Sequence, residues 1–295
     1  MNSPHYPVMN REVLAILAGT RKKLFVDCTV GLGGHARILL GACPAARLIA
    51  IDQDGESLAQ ARENLREFGR RVQFHLGNYL ALFEDFACRR LGVSGILVDP
   101  GISTLQLKSA QRGFSHSLDG PLDMRKDPAC GGTTAADVLN TFPEAELAGI
   151  FSRYGEVPGA NRLAKAVIEK RLFAPWNSTA QLRRLIEEVT RWRPRPGQVH
   201  PAARVFQALR ILVNRELEGL DAWLQKVPAN LLPGSRLVFL TYHSLEDRIV
   251  KRACQQLQRL GQGAPLKPFP AFPRPDEVAE NLASRSAKLR ALEVA

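Results

Sequence analysis

Cysteine is scarce and scattered in this chain. The five thiols at Cys28, Cys43, Cys88, Cys130 and Cys254 lie 15, 45, 42 and 124 residues apart, with no C-x-x-C pair and no Cys/His cluster at zinc-ligand spacing. That excludes a disulfide scaffold and a zinc-built domain, and it predicts buried thiols in a reducing cytosol and no bound metal. Long apolar runs are missing too: no uncharged stretch reaches the roughly 18 residues a membrane span needs. The opening MNSPHYPVMNREV has no basic segment followed by an apolar one, so a cytoplasmic protein is expected, neither secreted nor in a membrane. Internal repeats and low-complexity tracts are absent. What remains is ordinary in bulk, 45% hydrophobic and 23% charged over 295 residues, which excludes a disordered or collagen-like chain. Acidic residues are the minority: 29 against 40 Lys and Arg, for a net charge of +11. This balance favours a polyanionic partner such as nucleic acid.

From residue 24 to 99 the apolar runs LFVDCT, RLIAID, VQFHLG and GILVD recur, separated by stretches of helical length. This βαβ rhythm, with strands apolar on both faces, predicts an α/β fold with a mostly parallel sheet and ligands at the carboxyl ends of the strands, after Asp27, Asp52 and Asp99. The rhythm then stops for about a hundred residues. AADVLN, EAELAGIFSRYG, NRLAKAVIEKRL and STAQLRRLIEEVTRW read as helices, the last with Leu182, Leu185, Ile186 and Val189 on its apolar face. A proline-rich break at RWRPRPGQVHPAA follows. Beyond it, Phe206, Leu209, Val213, Leu217, Leu220 and Leu224 predict one long amphipathic helix. Strand character returns at RLVFLTYH, and ASRSAKLRALEV is expected as an edge strand. The expected division is an α/β domain in two parts, residues 1–106 and 204–295, interrupted by an all-helical domain at 107–203.

The first strand runs into Asp27-Cys-Thr-Val-Gly31-Leu-Gly33-Gly34-His35, and the second ends in Asp52-Gln-Asp54. A glycine turn lets backbone approach a ligand closely, and an acid at the next strand end can grip a ribose diol. Gly31, Gly33 and Ala36 satisfy a dinucleotide fingerprint, so a nicotinamide dehydrogenase and an S-adenosylmethionine enzyme both stand. Asp27, four residues before Gly31, resembles the D-P-F-x-G-S-G element of methyltransferases that act on exocyclic amines. Asp99-Pro-Gly-Ile-Ser103 resembles their D-P-P-Y element, which makes Asp99 and Ser103 the catalytic candidates. An exocyclic amine has its lone pair delocalised into the ring, so acceptors for its N–H groups are needed to localise and aim that pair. RGFS reads most simply as a loop with Phe114 in the core, and HSLED as a helix cap at Ser244 followed by acids in the first turn. His243, Ser244 and Asp247 suggest a hydrolase triad only superficially, because the G-x-S-x-G elbow is missing.

HYPVMNREVL, VDCTVGLGGHA, IAIDQD, GILVDPGIS, QRGFS, DGPLDMR, YGE, HPAARVFQALRILVNREL, TYHSLEDRIVK and RSAKLR occur in this order, and together they closely resemble the bacterial ribosomal small-subunit methyltransferase H family. The resemblance implies a Rossmann-like domain split by a helical insertion, with S-adenosylmethionine as cofactor. The implied reaction is methyl transfer to N4 of a cytidine in 16S ribosomal RNA, free or in the small subunit. It implies cofactor contacts at Gly33, Gly34, His35, Asp52, Tyr79, Asp99 and Gln106, and it adds Arg112, Phe114 and His243 as substrate candidates. Tyr79 stands where the family usually has Phe, and Pro100, Thr104, Lys108, Gln111, Lys126, Val157 and Pro158 depart from the family pattern. A DNA or other RNA amino-methyltransferase and a non-catalytic RNA-binding ribosome-assembly protein on the same fold are the alternatives. The oligomeric state is left open, a homodimer being one option. Residues 162–195 hold nine Lys or Arg against three Glu, with Trp176 and Trp192 interleaved, which suits phosphate contacts and base stacking. Arg183 and Arg184 are the expected RNA contacts there.

Overall fold

The computed structural model describes residues 7–81, 91–195 and 197–295, and the chain divides into two compact units, Met1–Gly101 with Leu217–Ala295, and Ile102–Glu216. In the first unit the apolar runs become β1 (Leu24–Asp27), β2 (Arg47–Asp52), β3 (Val72–Leu76), β4 (Gly95–Val98) and β5 (Arg236–Thr241). With β6 (Gly263–Pro265) and β7 (Lys288–Val294) they form one sheet in the order β3-β2-β1-β4-β5-β7-β6. The β3-β2-β1-β4-β5 pairings are parallel, with Val26 opposite both Ile49 and Ile96, while β7 runs antiparallel to β5 and β6. This is a Rossmann-like sheet whose strand order reverses between β1 and β4, so Asp27 and Asp99 flank the switch point where open α/β sheets bind ligands.

Period-two alternation sends the strand side chains into two cores. Phe25, Leu48, Ala50 and Leu97 face α1 (Asn10–Ala18), α2 (Gly34–Ala42) and α3 (Gly55–Asn64), meeting Leu17, Leu40 and Leu58. Val26, Ile49, Ile51 and Ile96 point the other way. The expected edge strand is not an edge: β7 lies inside the sheet, and the three-residue β6 takes the exposed position, a short edge that offers little backbone to other chains.

The second unit begins with the short α4 (Thr104–Lys108) and continues with α5 (Ala135–Thr141), α6 (Glu144–Gly155), α7 (Ala160–Arg171), α8 (Thr179–Thr190) and α9 (Pro201–Val213). Capping boxes start α5 at Thr134 with Asp137 and α8 at Ser178 with Gln181. Their apolar faces share one core that includes Leu139, Phe151, Val167, Ile186, Phe206 and Leu209. α9, expected within the second part of the α/β domain, belongs to this helical core because Val205, Phe206 and Leu209 pack there.

The single long helix expected over this stretch is broken. α9 stops at Val213, Arg215 adopts φ 50°, and α10 (Leu220–Lys226) starts afresh. Leu220 and Leu224 pack under the sheet of the first unit with Val250, Cys254 and Leu257 of α11 (Ser244–Arg259). One apolar stripe thus serves two cores. Cys28 and Cys254 are buried as expected, but Cys43 is only half-buried and Cys130 is exposed in the loop before α5; Cys88 lies outside the described residues. Among the described residues no helix is long and apolar enough to cross a membrane, and no His/Cys/Asp/Glu group could hold a metal ion.

Candidate active site

The glycine loop leaves β1 with Gly31 at φ 53° and Gly33 at φ 85°, conformations that favour glycine, and it passes directly into α2. A Cβ on Gly33 would press on the Leu65 side chain at 3.0 Å, whereas one on Gly31 would meet only the Thr29 carbonyl at 3.9 Å, so the loop is open on the Gly31 side. Asp52 braces this loop from the end of β2. Its Oδ2 accepts from the Gly31 N–H at 2.7 Å and its Oδ1 from the Asp54 N–H at 2.9 Å. Tyr79, beyond β3, is half-buried with its ring edge-on to Trp223 at 5.1 Å, which fixes it as a flat wall.

Asp99 follows β4 and is held from three sides. Its backbone N–H donates to Thr29 Oγ1 at 2.7 Å, its Oδ1 accepts from the Tyr242 hydroxyl at 2.7 Å, and its Oδ2 lies 3.5 Å from His35 Nε2. One fifth of the Asp99 side chain remains exposed. Burial, then the Asp99 charge, raises the Tyr242 hydroxyl well above its ordinary pKa, so it stays a donor. Beneath them Asp27 is buried and accepts from the Thr29 N–H at 3.1 Å. Burial raises its carboxyl to about 7; His35 pulls the other way, and the charges of Asp99 and Asp52 add to the rise. Three carboxyl groups and one imidazole therefore gather at the switch point.

The remaining candidates sit in varied surroundings. His243 is the cap of α11, its Nδ1 accepting from the Glu246 N–H at 3.3 Å; the cap expected at Ser244 is one residue earlier, because the ring reaches the first-turn N–H group. Asp247 is engaged by Lys288 at 3.0 Å and Arg290 at 2.7 Å, far from any triad arrangement with Ser244. In the second unit Ser103 and Gln106 form a reciprocal cap: Ser103 Oγ accepts from the Gln106 N–H at 3.2 Å and Gln106 Oε1 from the Ser103 N–H at 3.0 Å. Arg112 is buried and donates to the Lys126 carbonyl at 2.8 Å, tying its loop together. Phe114 is 5% exposed in the helical core, so the plain structural alternative accounts for it and it has no face to offer a substrate. Arg183 donates to Glu187 at 2.7 Å, and Arg184 is exposed. Trp176, expected to stack on bases, is buried and donates to the Val167 carbonyl at 3.2 Å; only Trp192 of that pair keeps exposed surface.

A model of the MraW methylase family matches residues 2–295. The chain is 44% identical over 296 residues to ribosomal RNA small subunit methyltransferase H of Thermotoga neapolitana, covering 98% of this chain and 96% of that one. It is 42% identical over 289 residues to the protein of the same name from Nostoc sp., covering 98% and 92%. The chain belongs to the MraW methylase family. A solved rRNA methylase from Streptococcus thermophilus aligns over 97% of this chain and 93% of its own at TM-score 0.41 and 11% identity.

As an MraW methylase the protein is a methyltransferase, and the dehydrogenase alternative falls away. Its glycine loop, Asp52 and Asp99 were all legible as strand-end motifs. Three features of this MraW methylase were not: the Tyr242 hydroxyl on Asp99, the Thr29 hydroxyl beneath it, and the burial of Asp27. Tyr242 lies 143 residues from Asp99 in sequence, and the signal that could have found it was its place at the end of β5, the strand beside β4.

Proposed function

We propose that this MraW methylase transfers a methyl group from S-adenosylmethionine to the exocyclic N4 amine of a cytidine in 16S ribosomal RNA, acting in the cytoplasm on free RNA or the small subunit. The single observation that carries the reading is Asp99, partly exposed at the end of β4 and clamped through Oδ1 by Tyr242, beside a glycine loop braced by Asp52. The residues present suit the cofactor: Gly31 is open to a close approach, Asp52 places a carboxylate beside the loop for the ribose, Tyr79 offers a flat wall, and the carboxylates of Asp52 and Asp99 favour a cation. Gly33, Gly34 and His35 complete the loop side of that set, and Gln106 is carried as a cofactor contact by resemblance. When bound, S-adenosylmethionine supplies a methyl group on a positively charged sulfur.

The chain's own work is to accept an amine N–H at Asp99, which draws the nitrogen lone pair out of the ring and aims it. As the new C–N bond forms at the expense of the methyl–sulfur bond, which leaves the sulfur neutral, the nitrogen becomes positive and must lose a proton, and in this reading Asp99 accepts it. Tyr242 keeps the carboxylate from turning, and a base must leave any stack to present its amine there. Ser103, Arg112 and His243 have structural duties, and for substrate contact the exposed Arg184 is the better candidate. The relatives' shared name supports ribosomal RNA as the substrate. Nucleoside mass spectrometry of 16S RNA from cells with and without the protein tests this: an N4-methylated cytidine that disappears with the protein is expected. Unchanged 16S RNA, with methyl transfer to DNA by the pure protein, would favour a DNA amino-methyltransferase.

A further inference from the structure

α8 ends in a helix-stop motif that turns the chain back on itself. The Arg191 N–H reaches the Glu188 carbonyl at 3.2 Å and the Trp192 N–H the Glu187 carbonyl at 2.9 Å, with Arg191 at φ 51°, a left-handed conformation usually given to glycine. This strained turn seats the Trp192 ring edge-on to His200 at 5.2 Å. His200 in turn stacks on His116 of the RGFSHS segment, centroids 5.1 Å apart and 16° from parallel, and His116 meets the edge of the core residue Phe206 at 5.9 Å. A chain of four rings therefore runs from the helical core to the surface. Glu187 locks it, with Oε1 3.0 Å from His200 Nε2 while accepting from Arg183 Nε at 2.7 Å. Burial first, then His200 and Arg183, lower the pKa of His116, which keeps that ring neutral and able to stack.

The outer end of this assembly is not what a purely structural cluster would leave. Trp192 is only half-buried, and Arg184, Arg191, Arg193 and Arg195 around it in sequence are all exposed. The three glutamates of residues 162–195 already have cations, Glu169 with Lys165, Glu187 with Arg183 and Glu188 with Lys170. A rigid aromatic face amid surplus guanidinium groups matches single-stranded nucleic acid, whose bases stack on aromatic rings while the phosphates take the charge. We propose that Trp192, seated on His200, is a stacking platform for an unpaired nucleobase of the RNA substrate, with Arg191, Arg193 and Arg195 on the neighbouring phosphates.

This site rests on the ribosomal RNA reading, which methyl transfer by the parent protein reports separately. Trp176 and Trp223 are buried, so Trp192 is the tryptophan whose fluorescence a surface ligand reaches. A short single-stranded RNA should quench that fluorescence, and the same sequence in a duplex should not. Trp192→Leu should weaken single-strand binding roughly tenfold or more without changing its salt slope, and Trp192→Tyr should restore most of the affinity. Arg193→Gln with Arg195→Gln should instead lower the slope by about one to two. Parent-like affinity in Trp192→Leu, a Tyr variant as weak as the Leu variant, or equal quenching by duplex RNA or by an acidic peptide would overturn the proposal.

Discussion

Asp52 braces the Gly31 N–H, and in the proposed reading it also holds the ribose, so its removal should act on cofactor affinity above all. Asp52→Ala is expected to weaken S-adenosylmethionine binding roughly ten- to a hundredfold, from a lost charge-assisted interaction of about 1.5 to 3 kcal/mol, as calorimetry would read. Asp99→Asn should lower the single-turnover transfer rate more than it weakens cofactor binding. Tyr242→Phe, which deletes only the hydroxyl on Asp99 Oδ1, should reduce the same rate by about tenfold with cofactor affinity retained. A loss confined to affinity in either variant would count against the orienting role of Asp99. Asp27 makes a different contribution. Its folded pKa of about 7 lies above its ordinary 3.8, so the protonated form is the one the fold prefers. Stability from this group is fully present below about pH 4, declines as pH rises, and is lost above 7, by on the order of 4 kcal/mol at most. Thermal midpoints of the parent should fall between pH 5 and pH 8, and Asp27→Asn should flatten that decline.

The elements of the helical unit depend on a buried ion cluster that no local pattern announces. Glu216, just beyond α9, lies 3.1 Å from Lys126 and 2.8 Å from Arg210, so it joins the loop carrying RGFS and DGPLDMR to the helix end. Burial alone would raise its carboxyl, but Arg210 and Lys126 pull it down to about 2. The stability it provides is present above the ordinary pKa of 4.5 and lost as pH falls toward 2. Glu216→Ala would leave the buried Lys126 and the half-buried Arg210 without their carboxylate and should cost on the order of 3 kcal/mol in chemical denaturation at pH 7. A change under 1 kcal/mol would mean that water, not Glu216, satisfies them. Asn214 reinforces the same junction, donating to the Met124 carbonyl and accepting from the Lys126 N–H. The helix break at Arg215 is explained by this junction: continuing α9 would carry Glu216 away from its cations.

At the scale of the whole molecule the net charge of +11 should make RNA binding steeply salt-dependent. Arg183 and Arg184 were expected to contribute alike, yet Arg183 is committed to Glu187 whereas Arg184 is exposed. Arg184→Gln should therefore flatten the log–log salt slope by about 0.7 to 0.9, one phosphate contact, while Arg183→Gln should act mainly by loosening Glu187 and His200. Equal slopes for the two variants would refute that division of labour.

The strands, the glycine loop, Asp52 and Asp99 were readable from the amino-acid sequence because each depends on a short-range pattern: apolar runs buried on both faces, glycines where φ is positive, and acids at strand ends. The helices α5 to α8 were readable for the same reason, since their caps and 3.6-residue periodicity are local. Family membership, too, was legible in motifs spread along the chain. What only the tertiary structure decided depends on partners distant in sequence. The apolar stripe from Phe206 to Leu224 has one period, and nothing within it says that its first half packs among helices and its second under a sheet. Trp176 and Trp192 look equivalent in a basic segment until the Val167 carbonyl claims one and His200 holds the other at the surface. The clamp on Asp99 joins β1, β4 and the end of β5, and only the sheet order brings Thr29, Asp99 and Tyr242 together, because hydrogen bonds act over about 3 Å however far apart their partners lie along the chain.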